Sequence, residues 1–148
     1  MKDKLLVVAD LGLLKAYRLK QTLEHSWRIE LLEEVVPEEA HQRVLETVTD
    51  MAGRHAAPGQ KKGAAPLADE HNLKLETKRR LIREITSHLE RLIESDDWGA
   101  CWLAAHKEIN RQIVEQLSPT ARACIGKNIP SDLTKTAEKE LIEQFLNA

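Results

Sequence analysis

Positions 5–9, Leu-Leu-Val-Val-Ala, form an unbroken apolar run that Asp10 ends. A strand with one wet face alternates, so an unbroken run of this kind predicts a strand covered on both sides. Asp10-Leu11-Gly12 reads as a turn. Leu14–Leu19 then alternates, with Leu14, Ala16 and Arg18 on one side and Lys15, Tyr17 and Leu19 on the other, which predicts a hairpin partner. Trp27–Val36 gives a third strand, closed by Pro37.

The stretch Pro37–Met51 fits two patterns: Glu38, Glu39 and Ala40 behind a proline suit a helix start, while Val44, Val48 and the threonines suit a strand. From Gly53 the composition turns to Gly, Ala, Pro, Lys and Gln without an apolar period, and a long flexible loop is expected over 53–72. Leu73–Ser95 is the clearest helix, because Leu81, Ile82, Ile85, Leu89, Leu92 and Ile93 recur on one stripe. A central strand at Trp98–Ala105 follows, then a helix at Lys107–Leu117 that Ser118-Pro119 stops. A last strand is expected within Ala121–Ile129 around Cys124 and Ile125. A closing helix is expected at Lys135–Leu146, burying Ala137, Leu141, Ile142 and Phe145.

Three strands joined by turns, followed by helix, strand, helix, strand, helix, predict an α/β domain spanning 1–148. Its expected architecture is a ribonuclease-H-like three-layer fold: a five-stranded mixed sheet, β1β2β3 antiparallel and then αβαβα, with helices on both faces. The first and fourth strands would lie centrally and pair in parallel.

Composition narrows the functional classes. Charged residues make up 31% of the 148 but nearly cancel at a formal charge of -2, so no global field favours nucleic acid or membrane, and DNA is not expected as a partner. The apolar run at 5–9 is too short for a signal segment or a membrane span, and the two cysteines, Cys101 and Cys124, lack metal or disulfide spacing. A cytoplasmic protein without a cofactor is the expectation.

Locally the balance is different. Arg54, Lys61, Lys62, Lys74, Lys78, Arg79, Arg80, Arg83 and Arg91 gather on the loop and the long helix, the kind of cluster that holds RNA phosphates. The alternative is a solvated helix face, with Glu76–Arg80, Arg80–Glu84 and Arg83–Glu90 as side-chain neighbours. Tyr17, Trp27, Trp98, Trp102 and Phe145 fall in core positions rather than on a base-stacking surface. Asp10 and Asp132 stand at element ends where a metal nuclease of this fold keeps carboxylates, but the strand at 98–105 carries no acid to complete the set. The six histidines form no metal-binding pair. His106, at a strand-to-helix passage, is expected to bond the helix start, as Ser118 is at the next; Asp132 or Thr134 is expected to cap the closing helix.

The order of VVAD at 7–10, AYRL at 16–19, Thr49-Asp50, Gly53-Arg54, the long helix, WLAAHKEI at 102–109 and Asp132-Leu133-Thr134-Lys135 resembles the family of proteins required for attachment to host cells. That resemblance implies a domain similar to the middle domain of archaeal and eukaryotic peptide-release factors, whose mobile loop carries a Gly-Gly-Gln tip. Here Gly59 and Gln60 fall on its last two positions and Pro58 replaces the first glycine, which fixes φ and removes a donor. The implied activity is a translation-associated factor that binds the ribosome or tRNA and assists peptidyl-tRNA ester hydrolysis through Gln60. The alternative implied by the family's label is a non-catalytic interaction protein that influences attachment, and a degenerate nuclease is a third reading.

Overall fold

The structure, a computed structural model, describes residues 2–37 and 67–148, with side chains of the first helix described from Leu75 onward. Five strands occur: β1 (Lys4–Ala9), β2 (Leu14–Gln21), β3 (Trp27–Val35), β4 (Ala100–Ala105) and β5 (Ile125–Ile129). They form one sheet in the order β3-β2-β1-β4-β5, antiparallel across the first three and parallel at β1/β4 and β4/β5. The described helices are α1 (Leu67–Glu94), α2 (Lys107–Gln116), α3 (Pro119–Cys124) and α4 (Glu138–Leu146).

Burial on both faces explains the apolar runs of the central strands. Leu5, Val7 and Ala9 of β1, with Cys101, Leu103 and Ala105 of β4, pack under α1, α2 and α3 against Leu81, Ile82, Ile85, Leu89, Ile109, Ile113 and Ala121. The alternate residues Leu6, Val8, Trp102 and Ala104 face the other layer, where Leu133, Leu141 and Phe145 cover them. Each fully buried Leu, Ile or Phe here contributes roughly 1.5–3 kcal/mol of apolar transfer. The result is a three-layer α/β fold with helices on both faces of a mixed sheet. At the β2–β3 turn, His25 takes the left-handed conformation, φ 63°, and Thr22 N donates to Ser26 O at 2.8 Å.

Several boundaries differ from expectation. Helix α1 begins at Leu67 rather than Leu73, because its apolar stripe sets in only at Leu81 and the preceding turns carry no periodic signal. The loop expected over 53–72 therefore ends before Leu67; its remainder, and the helix-or-strand segment after Pro37, lie outside the described residues. Trp98 precedes β4, its ring buried and its Nε1 donating to Leu92 O at 2.9 Å. The stretch expected to be a strand from Ala121 is first a helical turn, α3, with Pro119 at its start and Ser118 as N-cap. Helix α4 starts at Glu138 after a turn, and Ala137 is its exposed N-cap without a side-chain bond, so neither Asp132 nor Thr134 caps it.

Candidate functional site

Helix α1 presents its apolar stripe to the sheet and leaves its basic residues on the rim. Arg79, Arg80 and Arg83 are exposed and Lys78 is half-buried. Lys78 Nζ lies 4.0 Å from Glu108 Oε2, and Arg80 pairs with Glu76 at 3.8 Å, the i,i+4 neighbour expected. The Arg83–Glu90 pairing does not form, since Glu90 Oε1 accepts from Ser118 N at 2.6 Å and anchors the start of α3. Lys74 belongs to α1, but its side chain lies outside the described residues, as do Arg54, Gly59, Gln60, Lys61 and Lys62 altogether.

Two hollows flank this helix. One, of about 590 Å³, runs between α1 and the end of β3, with Leu14, Val35, Val36 and Pro37 on the sheet side and Arg80, Arg83 and Arg91 on the helix side. His88 joins its two walls. Arg91 Nη2 lies 2.8 Å from His88 Nδ1 and, because a guanidinium only donates, that nitrogen accepts; His88 Nε2 then donates to Glu33 Oε1 at 2.5 Å. The second hollow, of about 360 Å³, lies between α1 and α2 and is lined by Leu75, Lys78, Arg79, Arg83, Gln112 and Gln116. The i,i+4 spacing of 79/83 and of 112/116 puts each pair on one helix face. The glutamines carry no signal along the chain, because their relation to the arginines arises from the docking of two helices.

At the carboxyl edge of the parallel strands a second cluster forms. The register pairs Ala9 with Ala105, so Asp10 and His106 leave the sheet side by side. His106 N donates to Ala9 O at 3.1 Å, and its Nδ1 accepts from Glu108 N at 3.1 Å, the expected bond at the start of α2. Thr134, 1% exposed, places its hydroxyl 2.6 Å from Asp132 Oδ1 and 3.2 Å from Asp10 Oδ2. Burial pushes the Asp132 carboxyl up, but the Thr134 hydroxyl and amide, Asp10 and the charge of His106 outweigh it and hold the group below the usual carboxylate range. Asp10 and Asp132 thus meet on one hydroxyl that locks the turn before α4 to the end of β1. Among the described residues, no group of three or more His, Cys, Asp or Glu is placed to hold a metal ion.

The thiols have no chemistry suited to a nucleophile, since burial pushes both Cys101 and Cys124 up. Of the aromatic residues, Tyr17, Trp98, Trp102 and Phe145 are buried and Trp27 is half-buried against Trp102, as core residues should be. No helix among the described residues is long and apolar enough to cross a membrane.

Apart from Lys4 at the start of β1 and Leu146 at the end of α4, the sheet, both helical layers and this edge cluster fall within residues 5–145, which match the family described as "Protein required for attachment to host cells". The chain belongs to that family. Its match runs from the first core residue of β1, Leu5, to the last large core residue of α4, Phe145, and so covers the segment that carries Gly59 and Gln60. No curated protein matches the chain.

Proposed function

We propose that this member of the host-attachment family is a translation-associated factor, docking on the ribosome or tRNA through the basic rim of α1 and assisting peptidyl-tRNA ester hydrolysis with Gln60. The observation that carries the reading is the charge arrangement on α1: Arg79 and Arg83 are exposed on one face and neither has a hydrogen bond or ion pair among the described residues. Exposed cations without carboxylate partners lose little on meeting phosphate and release counterions when they do. Pro37, the last described residue before Gly59-Gln60 in sequence, lines the same hollow as Arg80 and Arg83. Support for the catalytic half comes from the resemblance of Gly59-Gln60 to the tip of a release-factor middle domain. There, a glutamine amide and side chain orient water and stabilise developing charge. The ribonuclease-H-like assignment of the three-layer fold belongs to the same reading.

Co-sedimentation with ribosomes over a salt series tests it. Wild type should pellet at low salt and release steeply as salt rises. Arg79→Gln/Arg83→Gln should stay in the supernatant, and Gln60→Ala should still pellet while failing to cleave peptidyl-tRNA. Absence of binding at the lowest salt overturns the proposal.

A second reading, a non-catalytic interaction protein, is favoured by the edge strand. Leu31, Leu32 and Val36 at the β3 edge are 46%, 39% and 51% exposed, which is unusual apolar exposure for a strand end. Pro58 in place of the first tip glycine points the same way.

A further inference from the structure

We infer that the cleft between α1 and α2 is a phosphate subsite, in which one phosphodiester group of a bound RNA is gripped by Arg79 and Arg83 from α1 and by the amides of Gln112 and Gln116 from α2. This rests on the RNA-binding reading and extends it to a second helix that contributes no cation to the cleft. Three observations carry it. The cleft holds about 360 Å³, and its polar lining is three cations, Lys78, Arg79 and Arg83, and two carboxamides, with no carboxylate among the lining residues. The arginines and the glutamines each stand one helical turn apart, so two forked donors face two amide donors across the cleft. Neither arginine has a competing acid among the described residues, while the acids nearby are engaged elsewhere: Glu76 on Arg80, Glu90 on Ser118 N, and Glu108 at 4.0 Å from Lys78.

The chemistry selects an anion with several acceptor oxygens. A guanidinium presents only donors, and a carboxamide can turn its NH2 toward an acceptor, so a tetrahedral phosphate can accept from both helices at once. A carboxylate would satisfy one arginine and leave the opposite wall unpaired. Glu108 stands at one end, where an entering phosphate competes for Lys78. Leu75, one turn before Lys78, adds apolar surface to the lining.

Two measurements on the full chain separate this inference from the broader one. In the first, inorganic phosphate and then a single-stranded RNA 12-mer are titrated into 15N-labelled wild-type protein, and the side-chain amide resonances of Gln112 and Gln116 are followed. In the second, affinity for the labelled 12-mer is measured over a salt series for wild type, Gln112→Leu/Gln116→Leu and Arg79→Gln/Arg83→Gln, with urea unfolding as a check on folding; both glutamines are exposed on α2, so the fold should survive. Both titrations should shift the amides. The glutamine variant should bind RNA on the order of tenfold more weakly with an unchanged salt slope, since it removes neutral contacts to a charged group. The arginine variant should lower that slope by roughly 0.7, the share of one phosphate on a single strand. RNA binding with silent amides and wild-type affinity in the glutamine variant overturns the cleft site and leaves the RNA-binding reading standing. Amides shifted by inorganic phosphate, with no RNA bound at low salt, overturn the RNA assignment and leave a site for free phosphate.

Discussion

The guanidinium of Arg18 lies 4.5 Å from the centroid of the Trp98 ring while its two terminal nitrogens reach Asp3 at 3.0 Å and Asp96 at 2.8 Å. One side chain on β2 thereby ties the start of β1 to the turn between α1 and β4. The hydrogen bonds that Arg18 donates to Asp96 and Asp3 hold it further above its usual range, and Arg18 in turn holds Asp96 low. Replacing Arg18 by Met keeps a stem of similar length but removes the charge over the ring, and should lower stability by about 1 kcal/mol. The readout is the urea midpoint at unchanged m-value; an unaltered midpoint would show that the stacked pair contributes nothing.

A second prediction concerns acid. The Asp132 carboxyl is held below its ordinary value, near about 3.9 in an unfolded chain, by Thr134, Asp10 and His106 acting against burial. A carboxyl depressed in the folded state contributes stability that is complete above the unfolded value and is lost as pH falls through the folded one. Asp132→Asn should therefore make stability less dependent on pH below about pH 4 and leave that dependence unchanged between pH 6 and 8. Urea unfolding of both proteins at a series of pH values measures this, and parallel curves down to acid pH would contradict it.

Asn110 and Asn128 exchange reciprocal side-chain bonds of 2.7 and 2.8 Å, and Asn110 Nδ2 also donates to Ile129 O at 3.3 Å. This pair fastens α2 to the edge strand β5. Asn110 is 5% exposed while Asn128 is exposed and can turn to water, so Asn110→Ala should cost about 0.5–1.5 kcal/mol through the lost bonds. The double variant Asn110→Leu/Asn128→Val should cost less than the sum of its single changes, because both polar groups leave together. A thermodynamic cycle that comes out additive removes this account.

The layer under α4 depends on few residues. Phe145 is fully buried and stacks on Trp102 at a centroid distance of 5.7 Å, with Leu141 as the other fully buried residue of that helix. Phe145→Ala should cost about 3–5 kcal/mol through lost transfer energy and a cavity. Hydrogen exchange should report the loss first in Glu138–Leu146. Equal loss of protection in α1 would mean that the two layers unfold as one unit.

The hollow between α1 and β3 offers a fifth check, on local order. His88 links Arg91 to Glu33 across it, through the tautomer that carries its proton on Nε2. His88→Gln, which cannot reach both neighbours in the same way, should loosen the edge strand and raise amide exchange across Trp27–Val35 several-fold. Unchanged exchange there would show that pairing with β2 alone holds the strand.

What the chain's own pattern determined is the layering. An apolar run such as Leu5–Ala9 has no wet face to offer, so it must lie between two layers. A stripe such as Leu81–Leu92 has one apolar face and must lie on a sheet. Those constraints are local in sequence, and for that reason the two central strands, the long helix and the mixed five-stranded order were all legible. The caps at His106 and Ser118 were legible too, since a cap bonds an amide two or three residues away. Helix starts without an apolar period were not, which is why Leu67–Asn72 and the turn of α3 read differently from how they fold. The meeting of Asp10 with Asp132 through Thr134, the clip of Arg18 on Trp98, and the facing of Arg79 and Arg83 by Gln112 and Gln116 were decided only by tertiary structure. Each joins residues whose sequence separation has no period, so only the packing of helices and strand ends against one another brings them together.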